Sequence, residues 1–243
     1  MTGSTPEGTS GEHEAASWVR GMFGRIAGRY DLANHVLSFQ MDRLWRARTV
    51  RRLQFILNHP GARVLDICCG TGDLTLALEQ RCRAPVFGSD FVHPMLVQAG
   101  AKSARRNADT PLFEADALRL PIRDGALDLV TVAFGFRNLT GYDAGLREMH
   151  RVLRPGGVAA ILEFSQPPNR VFRGLYNFYS RRILPVLGGV LTGNPDAYLY
   201  LPESVRKFPG AEELAAGMRR AGFAAARYEY FTGGIVALHL GTR

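Results

Sequence analysis

The chain has 243 residues, 46% of them hydrophobic and 21% charged, the balance of a globular protein long enough to bury a full α/β core. A formal net charge of +8 and a pI of about 9.9 favour acidic partners such as nucleic acid, anionic lipid or a phosphate-bearing ligand. Cys68, Cys69 and Cys82 lack metal-ligand spacing and do not make a disulfide framework, so a reducing, cytoplasmic setting is expected, and no apolar run approaches the ~20 residues that span a bilayer.

Residues 1–15 are rich in Gly, Ser, Thr and Glu and read as a disordered tail ahead of one domain over 16–243. From Trp18 to Leu57 the pattern is helical, broken around Gly28-Arg29-Tyr30-Asp31 and Ser38-Phe39-Gln40, which predicts a helical cover over 16–58. In its last piece Met41, Leu44, Trp45, Leu53, Ile56 and Leu57 form an apolar stripe; Arg43, Arg46, Arg51 and Arg52 lie opposite, a solvated face or one meeting lipid head groups.

After His59-Pro60-Gly61 the period changes. Strands are predicted at 63–67, 86–90, 112–116, 127–134 and 158–164, with helices at 74–81, 94–106 and 142–153 between them. Arg154-Pro155-Gly156-Gly157 is read as the stop after the third of these helices. Residues 170–191 are apolar, aromatic and basic together and interrupt the alternation, giving a helical insertion or lid over 170–210. A helix at 211–222 and two strands, 226–231 and 235–240, joined through Thr232-Gly233-Gly234 as a hairpin, close the chain. The sum is an α/β fold, a mostly parallel seven-stranded sheet with helices on both faces.

Asp66 ends the first strand, Gly70 and Gly72 make the turn, and a helix follows, the arrangement of a nucleotide-binding loop. The third glycine of a dinucleotide fingerprint is missing, and so is a phosphate-loop Gly-Lys-Ser/Thr. Asp66 and Asp73 would repel phosphate and suit a ligand bearing ammonium and sulfonium groups. Asp90, ending the second strand, is placed to accept both ribose hydroxyls, and Asp116-Ala117, ending the third, to meet an adenine edge.

Leu65-Asp66-x-x-Cys69-Gly70-Thr71-Gly72-Asp73 resembles the first motif of Rossmann-like class I methyltransferases, which use S-adenosylmethionine. The wider chain resembles the ubiquinone/menaquinone biosynthesis C-methyltransferases through Arg29-Tyr30-Asp31-x-x-Asn34, Leu44-Trp45-Arg46, Ser89-Asp90-Phe91, Phe134-Gly135-Phe136-Arg137-Asn138, Leu162-Glu163-Phe164-Ser165, Tyr198-x-Tyr200-Leu201-x-Glu203-Ser204 and Gly233-Gly234-Ile235-Val236-Ala237-Leu238-His239. Thr71, Phe91 and Ala133 join the cofactor residues on this resemblance. Cys68 stands where alanine is more usual, and Ala133 where many members carry a serine.

The resemblance implies methylation of a ring carbon of a polyprenylated quinol, demethylmenaquinol to menaquinol or the benzoquinol counterpart. A quinol hydroxyl of pKa ~10 needs roughly 4 kcal/mol to ionise at neutral pH. Arg137 is the candidate partner for that anion, and Tyr30, Asp31 and His35 are candidates to relay or accept its proton; His239 reads as structural. No metal is expected. The segments 41–57 and 170–191 are expected either as buried lid elements or as a peripheral contact with an anionic membrane at its inner face, and a homodimer is compatible with the sequence. Nucleic acid is not expected as a substrate: the chain lacks Asn/Asp-Pro-Pro-Tyr/Phe and Pro-Cys, and Asn194-Pro195-Asp196-Ala197-Tyr198 falls after the fifth strand. The rivals are methylation of another small molecule and a non-catalytic cofactor-binding subunit.

Overall fold

The structure, a computed structural model, describes residues 1, 3–6, 8–108, 110–192 and 195–243, and of these 190–192 and 195–199 by backbone alone. Of the stretch 194–198, Asn194 lies outside the described residues and the rest is described by backbone alone, as the start of a helix.

The most apolar strands are the most central. β1 (Val64–Ile67) is buried throughout and β4 (Leu127–Ala133) nearly so. They pair in parallel, flanked by β2 (Val86–Asp90) and β3 (Leu112–Glu114) on one side and β5 (Leu153–Phe164), β7 (Val236–Thr242) and β6 (Ala225–Phe231) on the other, giving the order β3-β2-β1-β4-β5-β7-β6. Strands β1 to β5 are parallel, and β7 is antiparallel to both neighbours. The order reverses between β1 and β4, so a crevice is expected beyond the carboxyl ends of these strands.

Two-residue alternation sorts the strand side chains onto two cores. Leu65, Ile67, Val130, Val132 and Ile161 meet Leu146 and Met149 of α6 (Tyr142–Val152) and Leu214 and Met218 of α10 (Ala211–Arg220). Val64, Leu129, Ala160 and Leu162 meet Leu53 and Leu57 of α3 (Met41–Leu57) and Leu74 and Leu78 of α4 (Asp73–Glu79). α5 (His93–Arg105) connects β2 to β3.

A third cluster roofs the crevice. α1 (Glu12–Ile26) and α2 (Tyr30–Leu37) supply Val19, Met22, Ile26, Ala33 and Leu37, which pack against Leu184 and Tyr200 of the insertion. The insertion comprises α7 (Arg170–Phe178), a π-helical turn at Tyr179–Ile183, α8 (Leu184–Thr192) and α9 (Pro195–Lys207). The Tyr179 hydroxyl donates to the Leu37 carbonyl at 2.7 Å, tying insertion to cover. Ahead of α1, Ser4 N donates to the Leu139 carbonyl and Ser4 Oγ shares a hydrogen bond with the Tyr200 hydroxyl, both at 2.7 Å.

Two boundaries shift by more than three residues from the sequence expectation: α1 begins at Glu12, inside the stretch read as a tail, and β5 begins at Leu153 rather than at 158. Arg154 to Gly157 lie within β5, which starts at Leu153 opposite Leu127 and changes register between Leu127 and Leu129. Gly156, at φ 77°, absorbs the irregularity, and its N–H donates to Arg243 O at 2.8 Å. The chain's last residues supply the pairing partners, so a Pro-Gly-Gly sequence is held inside the sheet.

Candidate active site

The crevice beyond β1, β2 and β3 is a cleft of about 1000 Å³. It is lined by Asp66, Gly70, Thr71, Asp90, Phe91, Asp116, Ala117 and Ala133 among others. Gly72 is the one predicted cofactor residue that does not line it. Its φ of 81° turns the chain into α4, and a Cβ there would stand 3.2 Å from the Ala99 Cβ.

Each acid is fixed by a short, named set of donors. Asp66 accepts from the Thr75 and Thr131 hydroxyls, each at 2.7 Å, while burial pushes its carboxyl up to about 6. Asp90 accepts from the N–H groups of Gly70 and Val92, each at 2.8 Å, and burial raises it also. The Gly70 bond couples the glycine loop to the end of β2. Asp116 accepts from Leu118 N at 2.9 Å. Asp66, Asp73, Asp90 and Asp116 line the cleft against the single cation Arg46 among the described residues. Such a wall rejects a polyphosphate and fits an adenosine carrying cationic groups.

Asp31 and His35 line neither this cleft nor the larger cavity beside it. They belong to an ionic lattice behind the glycine loop. Asp31 accepts from the Thr71 hydroxyl at 2.5 Å and pairs with Lys102 at 2.6 Å, and Lys102 also pairs with Asp73 at 2.6 Å. His35 Nδ1 meets Asp42 at 2.7 Å, and its Nε2 lies 3.9 Å from Asp73. Burial opposes ionisation of Asp42 and Asp73, yet Arg46 in both cases, with Lys102 at Asp73, holds them below the usual carboxylate range. The ligand atoms of His35, Asp42 and Asp73 lie within 4.8 Å of one another, but the Arg46 guanidinium already pairs with both carboxylates.

A second cavity of about 1460 Å³ lies under the helical roof. Phe23, Tyr30, Arg46 and Phe134 line both spaces, so the two meet there. Trp45, Phe134 and Phe164 form an aromatic wall, with Phe134 and Phe164 centroids 4.8 Å apart and Trp45 6.0 Å from Phe134. Trp45 Nε1 donates to the Thr232 hydroxyl at 2.8 Å, which fixes the indole plane. Arg137 lines this cavity although it is 4% exposed. Its Nη1 pairs with Glu163 at 3.1 Å and donates to the Phe134 carbonyl, its backbone N–H donates to Glu163 at 3.1 Å, and its Nε donates to Ser204 at 3.3 Å. Tyr30 is raised by burial and stays protonated, a donor rather than a base.

Of the four predicted catalytic residues, the structure brings Tyr30 and Arg137 to one cavity and leaves Asp31 and His35 behind the loop. Sequence reasoning did not assign Trp45, Arg46, Phe134 or Phe164 to this place, and it set Arg46 on a helix face that is either solvated or meets lipid head groups. The Arg46 side chain is only 12% exposed. The available signal was Asp42 four residues earlier, an i,i+4 ion pair on the same turn as Trp45.

The profile of the ubiE/COQ5 methyltransferase family matches residues 10–243. A demethylmenaquinone methyltransferase of Thermus thermophilus is 49% identical over 223 residues, covering 91% of this chain and 100% of the relative. The Deinococcus radiodurans protein of the same name is 42% identical over 244 residues, covering all of both chains. Among solved structures, an S-adenosylmethionine-dependent methyltransferase from Thermotoga maritima superposes with a TM-score of 0.63 at 18% identity, covering 91% of this chain and 98% of that one. One from Aquifex aeolicus gives 0.55 at 19% identity over 79% and 92%. These two speak for the fold alone.

Proposed function

The chain belongs to the ubiE/COQ5 methyltransferase family, and on that premise we propose that it methylates a ring carbon of demethylmenaquinol to give menaquinol. It is an S-adenosylmethionine-dependent methyltransferase. The observation that carries the acceptor is the junction of the two cavities: an acid-lined cleft opens at Tyr30, Arg46 and Phe134 onto a large aromatic, apolar one. A quinol ring with a prenyl chain matches the aromatic and apolar lining of the second cavity.

The bound cofactor supplies an electrophilic methyl on a sulfonium. The ring carbon of the quinol anion forms the new carbon–carbon bond as the sulfur–carbon bond breaks to leave the thioether; the hydroxyl proton has gone to solvent, and the ring proton passes to the same oxygen, restoring the quinol. Holding donor and acceptor in line is worth up to ~7–11 kcal/mol. Ionising a quinol hydroxyl costs roughly 4 kcal/mol at pH 7, and Arg137 with the Tyr30 hydroxyl are the groups offered to that oxygen. Glu163 keeps the guanidinium fixed in its burial, so its charge is oriented before the substrate arrives. Asp31 and His35 act at one remove, by holding the glycine loop through Thr71, Lys102 and Asp73. Asp66, Gly70, Thr71, Asp90, Phe91, Asp116, Ala117 and Ala133 bind the cofactor, within a single catalytic domain over 16–243.

We further propose a peripheral contact with anionic membrane at the cavity mouth. Phe39, Val171, Leu175, Phe178, Val186 and Leu187 are large exposed apolar residues on neighbouring elements, and Arg170, Arg181 and Arg182 are exposed among them. Among the described residues no helix is long and apolar enough to cross a membrane. Such a face suits an interfacial contact that lets a prenyl chain pass from lipid into the cavity. Sedimentation with anionic but not neutral liposomes is expected; no sedimentation with either rules the contact out.

Quinones extracted from a bacterial strain lacking its own demethylmenaquinone methyltransferase test the function. Expression of this chain is expected to convert accumulated demethylmenaquinone to menaquinone. Restoration of a different methylated product would assign the enzyme to another acceptor.

A further inference from the structure

S-adenosylmethionine has one carboxylate, on the amino-acid end away from its adenine. With the adenine toward Asp116 and the ribose at Asp90, that end falls toward Thr71 and Asp73. Only one cationic side chain among the described residues lining this cleft, Arg46, is available to meet it. Lys102 reaches Thr71 and Asp73 but does not line the cleft.

Arg46 is placed for the task and not used up. Its two carboxylate partners, Asp42 at 2.5 Å and Asp73 at 3.7 Å, both take the same nitrogen, Nη1. Each of these acids has other partners: Asp42 holds His35 and Ser38, and Asp73 holds Lys102. The guanidinium also rests 5.5 Å over the Phe134 ring, a stacking that fixes its plane. A planar fork with an unused edge in a cleft walled by acids is a site for one carboxylate and no more.

We propose that Arg46 binds the carboxylate of the cofactor's amino-acid moiety. The inference rests on the assignment of this cleft to S-adenosylmethionine. It adds a residue outside the glycine loop and the strand ends to the cofactor site. It also makes α3, whose Trp45 walls the acceptor cavity, part of the cofactor's contact surface.

Isothermal titration of the full chain with two ligands tests it: S-adenosylhomocysteine, which keeps the amino-acid end, and 5′-methylthioadenosine, which keeps the adenosine and sulfur but has no carboxylate. Loss of one charge-assisted hydrogen-bonded pair predicts that Arg46→Met weakens S-adenosylhomocysteine about 10- to 100-fold. Its affinity for methylthioadenosine is expected to change less than about 2-fold. Equal weakening of both ligands would mean that Arg46 only ties α3 to the loop, and no change for either would mean it touches nothing; both results overturn the proposal. If Arg46→Met does not fold, Arg46→Gln, which retains a donor for Asp42, reads the same ratio with the same outcomes. A wild-type chain that binds neither ligand removes the cleft assignment itself and the inference with it.

Discussion

Replacing Glu163 by Gln removes the only carboxylate among the described residues that pairs with the buried Arg137 guanidinium, while keeping the size of the side chain. Arg137 and Glu163 are 4% and 1% exposed, and the carboxylate accepts from Arg137 N, Arg137 Nη1 and Phe164 N. Stranding a buried charge in this way costs about 3–5 kcal/mol. For a chain of this size each kcal/mol moves the midpoint by roughly 2–4 °C, so Glu163→Gln is expected to melt about 6–20 °C lower. The double variant Arg137→Met/Glu163→Leu replaces the pair by apolar groups and is expected to recover part of that stability, less what Arg137 N and Phe164 N lose with their acceptor. It is not expected to recover turnover, because the Arg137 guanidinium no longer faces the quinol oxygen. Thermal melts and initial rates on the three variants decide the matter. A double variant that regains both stability and wild-type turnover would refute a catalytic role for Arg137, and a Glu163→Gln melt within about 2 °C of wild type would refute the energetic reasoning.

Other expectations follow from the cleft and its roof. Burial raises the Asp66 carboxyl from 3.8 to about 6, so the stability it contributes is complete below about pH 4 and lost as pH rises through 6, up to roughly 3 kcal/mol. The difference in pH–stability profile between cofactor-free wild type and Asp66→Asn should carry that slope between pH 4 and 6, and a flat difference would remove it. A cationic ligand favours the ionised form, so cofactor binding at pH 6 should release about half a proton, read from titrations in buffers of different ionisation enthalpy; proton uptake would contradict this. Gly135→Ala would put a Cβ 2.5 Å from the Cys68 Cβ, and overpacking of about 1–3 kcal/mol is expected to appear as lost stability together with weaker cofactor binding. Leu175→Asp with Phe178→Asp should abolish liposome sedimentation and leave cofactor affinity unchanged; undiminished sedimentation would exclude α7 as the contact.

The parts of this fold that depend on local pattern were legible in the sequence. Short, nearly continuous apolar strands at Val64–Ile67 and Leu127–Ala133, alternating with helices, imply the parallel sheet, and Gly70 and Gly72 with Asp66, Asp90 and Asp116 mark the cleft at the strand ends. What escaped depends on partners distant in the chain. Arg154 to Gly157 look like a stop and become strand, where Arg243 supplies the backbone hydrogen bonds of Gly156 and Gly157. Arg46 looks like one of several surface arginines until Asp73 and the Phe134 ring, far along the chain, enclose it. Asp31 and His35 sit in a motif that reads as catalytic, yet their nearest partners are Thr71, Lys102 and Asp42. No helical or strand period carries that information, because it arises only when the cover folds over the sheet.

Transfer of labelled methyl from S-adenosylmethionine to a short-chain demethylmenaquinol by the purified chain tests the central claim most directly. Labelled menaquinol with the methyl on a ring carbon, formed from the reduced acceptor and not from the oxidised quinone, is the result expected. A methyl on oxygen, equal transfer to the quinone, or no transfer by a chain that binds S-adenosylhomocysteine would contradict it.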